Sequence, residues 1–215
     1  KVDKDILLPQ QLRPISLCDT DYKIIMACIN RRMAMFLPPF VDDRQKGFIK
    51  GRLGTDNLLL LEALSLVGPR SGGSPATVLL DILAAFPSVT HKYLSQVLFR
   101  CLGDSPLFRM IMDMYTENSC NMLIRGDTYD GFEVLGGVRQ GCPLSGSLFA
   151  LAFHPVILYL HDMLFRQSMG IAVFIFAFAD DLGLQLHDLW SLLLPLHRAF
   201  LIIASGTGLA FAYGR

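Results

Sequence analysis

Two adjacent carboxylates interrupt FIFAFADDLGLQL, an otherwise apolar segment that spans residues 174–186. Burying an unpaired carboxylate is costly, and two side by side also repel each other. Asp180 and Asp181 therefore have to reach solvent or a cation, although the residues on both sides of them belong in a core. A β-hairpin meets both demands, and the pattern predicts strands at 171–178 and 182–186 with the Asp pair at or beside the turn. Asp is also common in ordinary exposed turns, so the pair alone does not establish a functional site.

A third carboxylate, Asp81, has a similar setting. It follows the run 76–80, which is short, partly β-branched and bounded by turn residues, and this pattern predicts a buried strand. Alone, Asp81 would be an ordinary residue at a strand end. With Asp180 and Asp181 it offers three carboxylates at the ends of apolar strands, and such oxygen ligands suit Mg²⁺. Three carboxylates can hold two Mg²⁺ ions about 4 Å apart, which clamp the attacking and leaving oxygens of a phosphoryl transfer.

The composition restricts the kind of protein that carries these carboxylates. Hydrophobic residues make up 52% of the 215, which is enough for a substantial core. The formal net charge is zero, which argues against binding of nucleic acid by charge alone, although basic residues are in excess in 1–70 and acidic ones in 71–215. The five cysteines form no CxxC pair, which disfavours a disulfide framework or a zinc site and suits a reducing compartment.

Helices are predicted around these strands. A cap at Asp19 or Thr20 favours a helix that begins near residue 21. The apolar stretches 148–160 and 199–213 are short or interrupted by His, Pro or Gly, and we interpret them as core and not as membrane spans. Further helices are predicted from residue 55 and at 90–102, 105–118, 143–167 and 188–204. Strand-like pieces are predicted at 121–141. The turn-rich stretch 68–75 predicts an internal boundary.

A glycine-rich segment, GGVRQGCPLS, occupies residues 136–145. Its glycines permit close approach of the backbone to a ligand, and Arg139 and Gln140 supply donors for a phosphate, a sugar or a base edge. An ordinary glycine-rich turn between a strand and a helix is an alternative interpretation of the same residues. The basic cluster within 44–52 also has two interpretations, a solvated loop and a phosphate contact.

These segments, in this order, resemble the reverse transcriptase domain of non-LTR (LINE-type) retrotransposons. FADD alone is weak, because four letters recur by chance, but six ordered motifs with similar spacing are specific and cover nearly the whole chain. LRPISLCDTDYKII and QKGFIKGR, the latter followed by Asn57, are similar to two fingers motifs of the family. VLLDILAAFPSV and GGVRQGCPLSGSLF are similar to two palm motifs, FADD to the Asp-Asp motif, and SGTGLAF to the start of the next motif.

The resemblance implies an α+β fold of the right-hand polymerase type. Residues 1–75 would form a fingers-like region, and residues 76–215 a palm region in which an antiparallel sheet packs on helices and carries the catalytic aspartates. Because the sequence ends at Arg215, soon after the palm motifs, we expect the thumb to be absent. Thumb and endonuclease domains would flank this region in the full element.

The resemblance also implies an activity, that of an RNA-directed DNA polymerase. On an RNA template with a DNA primer, the protein would add dNTPs to the primer 3′-OH by a transfer that uses two Mg²⁺ ions, with Mn²⁺ as the alternative ion. The expected location is the nucleus, because the family primes on chromosomal DNA, and otherwise the cytoplasm. Secretion and a membrane partner are not expected.

The family motifs assign roles to individual residues of this sequence. Asp81 and Asp180 would be the principal Mg²⁺ ligands, with Asp181 beside them, and all three would be catalytic. Phe86 would lie under the incoming sugar, where its ring would collide with a ribose 2′-OH and so select deoxynucleotides. The alternative for Phe86 is a simple core position.

Further nucleotide contacts are implied for five residues. Arg13 and Arg52 would reach the triphosphate from the fingers, although both could instead be surface charges. Ala85 would let the sugar approach. Gln140 would contact the incoming nucleotide, and Gly141 would keep that surface open.

Some positions depart from the family pattern. Pro87 replaces a common Asp after the motif aromatic, Gly146 replaces a Pro, and Ala210–Ala212 lack the usual Asn. These departures and the missing thumb keep a second hypothesis open, a catalytically inactive remnant that retains only nucleic-acid binding. An RNA-templated RNA polymerase is a third hypothesis, and Phe86 argues against it.

Overall fold

A computed structural model of the chain describes residues 15–67, 73–169 and 173–212. Within these ranges the chain is a mixture of helix and sheet, as predicted. The elements follow one another as α1 (Thr20–Phe36), α2 (Gly54–Val67), β1 (Ala76–Leu80), β2 (Ile82–Leu83), α3 (Ala85–Ser88), α4 (His91–Leu102), α5 (Pro106–Asp113), β3 (Ser119–Ile124), β4 (Asp127–Glu133), α6 (Ser145–Gln167), β5 (Phe174–Phe178), β6 (Asp181–Leu186), α7 (Leu189–Thr207) and β7 (Ala210–Phe211).

Strands β1, β6 and β5 form an antiparallel sheet, in that order across the sheet. β5 and β6 follow each other in the chain and pair directly, which confirms the predicted hairpin. The strand predicted at 76–80 is present as β1, but the prediction that it is buried is wrong. Its residues alternate between half-buried and exposed, and Leu79 is 73% exposed. Only one face of β1 packs on the core, as is common in antiparallel sheets.

Helix α6 forms the centre of the core. Buried side chains run along most of its length, and Leu148, Phe149 and Phe153 are all 0% exposed. The helix begins at Ser145 and continues through Pro155. By length and composition alone, α6 and α7 could each cross a membrane, but α6 is largely buried within the protein, which is also how the core helix of a soluble protein behaves.

Side-chain caps explain where two of the middle helices begin. The hydroxyl oxygens of Thr90 and Ser105 each accept a hydrogen bond from the backbone N–H three residues further on, at 3.3 and 3.2 Å, which starts α4 and α5. Helix α5 ends at Asp113, five residues earlier than predicted, and a turn at 114–117 leads into the hairpin of β3 and β4, which begins at Ser119. The predicted boundary at 68–75 lies partly outside the described residues.

Arg52 holds together the loop between α1 and α2. Its side chain is 10% exposed, and it pairs with Asp43 at 3.0 Å. The structure therefore does not support the prediction that Arg52 reaches a triphosphate, because four of its N–H groups bond to the protein itself. The acceptors lie 2.6 to 2.9 Å from the two terminal nitrogens and are the backbone carbonyl oxygens of Pro38, Val41, Asp42 and Gln45.

We predict that Arg52→Lys lowers the free energy of unfolding by about 2–4 kcal/mol, because an ammonium group cannot satisfy four carbonyl oxygens arranged around a planar fork. Urea denaturation measures this loss. Arg44→Lys is the matched control, since the half-buried Arg44 makes one side-chain ion pair, with Asp42 at 3.0 Å, and its replacement should cost less than about 1 kcal/mol. Equal losses in the two variants would contradict this role of Arg52.

Candidate active site

The Asp pair lies at a two-residue turn between β5 and β6. Phe178 pairs with Asp181, which leaves Ala179 and Asp180 as the loop. Ala179 has a φ of 56°, in the left-handed region that glycine usually occupies at the first position of such a turn. For a residue with a Cβ this conformation costs about 1–2 kcal/mol, so other contacts have to maintain it. Asp180 is half-buried and Asp181 is exposed.

Gln45 supplies those contacts through its side-chain amide. Its Oε1 accepts hydrogen bonds from the backbone N–H groups of Ala179 at 2.9 Å and Gly47 at 2.8 Å, and its Nε2 donates to the carbonyl oxygen of Ala179 at 3.0 Å. Gln45 is 0% exposed. One buried amide thus binds both polar backbone groups of the strained residue. Nothing in the local pattern of QKGFIKGR marked Gln45 for this role, because its partner is 134 residues away in the chain.

The segment around Gln45 also extends the sheet. The N–H of Lys46 donates to the carbonyl of Ala177 at 2.8 Å, and the N–H of Ala177 donates to the carbonyl of Arg44 at 3.0 Å, as in a short parallel strand beside β5. Gly47 then approaches the turn so closely that a Cβ at this position would lie 2.1 Å from the nitrogen of Ala179. Position 47 therefore requires glycine.

Asp81 directly follows β1, the strand that pairs with β6. β1 and β6 pair as far as Leu80 and Leu182, and one further step of this register sets Asp81 across from Asp181. Partial burial, and then the charges of Asp180 and Asp81, raise the pKa of Asp181. Across the described ranges, none of these three carboxylates takes part in a hydrogen bond or an ion pair. The structure thus brings the three predicted carboxylates to one end of the sheet.

The donor set suits a divalent cation. Carboxylate oxygens are the ligands that Mg²⁺ prefers, and Mg²⁺ commonly takes one or two of them and completes its shell with water and substrate phosphates. In the part of the chain that the structure describes, no three Asp, Glu, His or Cys side chains converge on one point. The carboxylates therefore form an open set, which fits a cation shared with a substrate better than a closed structural metal site.

Phe86, five residues after Asp81 in the chain, forms part of an aromatic column. Its ring stacks on Phe149 with centroids 5.0 Å apart and planes 9° apart, and Phe149 in turn stacks on Phe153 at 5.7 Å. Phe86 stays half-buried, so part of it remains accessible. Ala85 is only 4% exposed and packs in the core, so the structure does not place it where it could contact a sugar.

The glycine-rich loop is bonded to the segment that carries Phe86. The N–H of Val138 donates to the carbonyl of Phe86 at 2.8 Å. Gln140 is half-buried, and its side-chain amide makes no hydrogen bond to any described residue, so it remains available to a ligand. The prediction that Gly141 keeps a surface open for a nucleotide is not supported. A Cβ there would lie 2.7 Å from the carbonyl oxygen of Ser16, so this chain's own backbone fills that space.

Arg139 is bound within the protein as well. It donates to the carbonyl of Met114 at 2.6 Å and to Oδ1 of Asn118 at 2.7 Å, and its guanidinium lies 5.1 and 5.6 Å from the ring centroids of Tyr22 and Tyr115. It is therefore not a free donor for a phosphate. The predicted contact of Arg13 lies outside the described residues.

Comparison with known sequences identifies relatives along most of the chain. Residues 1–191 match the profile of the family described as reverse transcriptase (RNA-dependent DNA polymerase). The chain is 33% identical over 188 residues to the uncharacterized 149 kDa protein of transposon TX1 from Xenopus laevis, a match that covers 86% of this chain and 14% of that protein. It is 33% identical over 129 residues to a retrovirus-related Pol polyprotein from the type-1 retrotransposable element R2 of Popillia japonica, covering 59% and 21%.

Comparison with solved structures finds the same fold in telomerase. The apo telomerase of Candida tropicalis, truncated from its C-terminal domain, superposes with a TM-score of 0.59 at 11% sequence identity. The superposition covers 90% of this chain and 41% of the telomerase chain. At this identity the similarity shows the fold alone.

We predict that Gln45→Leu lowers the free energy of unfolding by about 2–4 kcal/mol, because it leaves the two N–H groups and the carbonyl that Gln45 binds without partners in a buried place. Chemical denaturation measures the loss. Gln140→Leu is the matched control, since the Gln140 amide has no partner among the described residues, and it should change stability by less than about 0.5 kcal/mol. A variant of Gln45 as stable as that of Gln140 would reject the role assigned to this amide.

Proposed function

This chain belongs to the reverse transcriptase family, as a reverse transcriptase domain of the non-LTR retrotransposon type, and we propose that Asp81, Asp180 and Asp181 catalyse RNA-templated addition of deoxynucleotides to a primer 3′-OH. The observation that carries this proposal is the set of three unpaired carboxylates at one end of an antiparallel sheet. Partial burial, and then the charges of the two neighbouring carboxylates, raise the pKa of Asp181, and the natural partner of such a site is a cation from outside the chain.

The reaction makes specific demands on the residues of the site. The oxygen of the primer 3′-OH attacks the α-phosphorus of the dNTP and loses its proton to solvent water, and the bond to the bridging oxygen breaks so that pyrophosphate leaves. Two Mg²⁺ ions bound to the carboxylates would stabilise the attacking and leaving oxygens. The register of β1, β6 and β5 supports this role, because it brings the backbone positions of Asp81, Asp180 and Asp181 to one end of the sheet. Gln140 offers its amide to the nucleotide.

Phe86 is suited to discriminate between deoxyribose and ribose in the incoming nucleotide. The stack on Phe149 fixes the plane of its ring, so the ring cannot turn aside for a bulkier sugar. A rigid aromatic wall rejects a ribose 2′-OH by steric contact, whereas a flexible one would yield. This rigidity supports Phe86 as the residue that selects deoxynucleotides.

The partners of the reaction are an RNA template and a DNA primer. The chain spans 14% and 21% of the lengths of the two relatives described above, so the segments that grip the duplex or cut the target would be supplied by flanking regions of a longer protein. The proposed place of action is the nucleus, where chromosomal DNA supplies the primer.

A second candidate function is nucleic-acid binding without catalysis. It is favoured by the finding that Arg52, expected to reach the triphosphate, and Arg139, a candidate donor to a phosphate, sugar or base edge, are bonded within the protein. A remnant of this kind would bind RNA weakly, in a manner sensitive to salt and indifferent to Mg²⁺.

We predict that Asp180→Asn reduces primer extension on an annealed RNA template at least about 100-fold, because it removes one of the charges that the transition state requires. Extension with dNTPs and Mg²⁺ measures the effect. Asp127→Asn is the matched control, since Asp127 is an exposed aspartate at the turn of the other hairpin, and it should leave extension unchanged. Undiminished extension by the Asp180 variant would reject the proposed site. If the unaltered chain shows no extension while RNA binding persists without Mg²⁺, the second candidate function replaces the first.

We predict that Phe86→Val raises the incorporation of ribonucleotides relative to deoxynucleotides by about 10-fold or more, because the smaller side chain makes room for the 2′-OH. Competition between rNTPs and dNTPs in the same assay measures the ratio. Phe132→Val, at an exposed Phe of β4, is the control and should leave the ratio unchanged. An unchanged ratio in the Phe86 variant would return Phe86 to a simple core role.

A further inference from the structure

Phe48 has an unusual conformation for a bulky residue. Its φ is 60°, and a large side chain in the left-handed region is an outlier that tends to occur at functional sites. It directly follows Gly47, which packs against the backbone of Ala179 at the start of the Asp turn. Phe48 is nevertheless 48% exposed. The chain therefore holds an aromatic ring in a strained conformation, beside the candidate active site, with half of its surface open.

The ring of Phe48 is held by defined contacts. It meets Phe86 edge to face, with centroids 5.8 Å apart and planes at 84°. Since Phe86 stacks on Phe149 of helix α6, Phe48 is the outer member of a column that is anchored in the core. On another side it lies against Gly146, where a Cβ would come within 2.7 Å of Cδ1 and 2.9 Å of Cγ of the ring. Position 146 leaves room for Phe48 because it carries no side chain.

We infer that Phe48 is a base-stacking residue, whose exposed surface binds a nucleobase at the candidate active site. This inference rests on the proposed function and names the part of the substrate that this ring contacts. Stacking of a base on an aromatic side chain is favourable and tolerates any base, because every base has a π-face. A ring that is already fixed by its neighbours loses little conformational freedom on binding. The base could belong to the template strand or to the incoming nucleotide, and both offer the same stacking chemistry.

The test measures binding to two probes that carry 2-aminopurine, a base whose fluorescence falls when it stacks. One probe is a short single-stranded RNA, compared with the same RNA lacking that base, and the other is the triphosphate of 2-aminopurine deoxyriboside. Phe48→Leu should weaken binding of the base-carrying probe about 10-fold and abolish the fluorescence change, while Phe48→Tyr should retain both. Phe132→Leu, at an exposed Phe of β4, is the matched control and should change neither.

Gly146→Ala tests the same idea without removing the ring. The added Cβ would displace the Phe48 ring from its position against residue 146. The affinity for the base-carrying probe should therefore fall by a similar factor. Combined with Phe48→Leu, it should add nothing further, because both changes remove one interaction. Gly206→Ala is the control, since a Cβ at that helical position meets nothing within 4 Å.

The two probes identify which base is bound. Loss of affinity for the RNA alone assigns Phe48 to the template, and loss for the triphosphate alone assigns it to the incoming nucleotide. Equal binding of the RNA with and without its base, unchanged affinities in Phe48→Leu, or binding of neither probe would overturn the inference. Stacking that depends on Phe48 in a chain that does not extend a primer would reject the polymerase proposal only. Extension that is indifferent to Phe48, with no fluorescence change, would reject the stacking only.

Discussion

The arrangement of the site depends on one buried amide, that of Gln45. It binds the N–H and the carbonyl of Ala179 and keeps this residue in a left-handed conformation that alanine does not favour. The same glutamine belongs to the segment that lies in parallel beside β5, where Asn57 adds a further hydrogen bond, from its Nδ2 to the carbonyl of Ala177 at 3.0 Å. The loop between α1 and α2 is thereby joined to the turn that carries the Asp pair. The position of the carboxylates is thus set by a part of the chain more than a hundred residues earlier.

The charges around the site are divided in a consistent way. The arginines that seemed available from the sequence are used to build the scaffold, with Arg52 bonded to four carbonyl oxygens and Arg139 placed between two tyrosines. The three aspartates are left without any cation among the described residues. A protein that neutralised them internally would have no place for a metal ion and its phosphate. Partial burial, and then the charges of Asp180 and Asp81, raise the pKa of Asp181, and a bound cation would relieve this repulsion.

The departures from the family pattern have local physical explanations. Pro87 lies in the first turn of the short helix α3, where a backbone N–H has no partner within the helix, so its missing N–H costs nothing there. Gly146 gives Phe48 its place beside Phe86. In β7, Phe211 is buried against Phe200, and the N–H of Ala212, which follows β7, donates to the carbonyl of Asp81 at 2.8 Å, so this segment holds the backbone at Asp81. None of these positions disturbs the carboxylates themselves.

The sequence by itself determined the hairpin, most of the helices and the residues that carry charge at the sheet end. These features depend on neighbours in the chain, since alternation, turn residues and caps act over a few positions, and two aspartates within an apolar run can lie only at an exposed turn. Tertiary structure alone decided that Arg52 is bonded within the protein, that Ser16 fills the space beside Gly141 and that β1 is half exposed. It also decided that Gln45 binds the Asp turn and that the ring of Phe48 meets Phe86. Each of these depends on which distant group supplies the partner of a hydrogen bond or the wall of a cavity. Local periodicity carries no information about such partners, and they are settled only when the chain has packed.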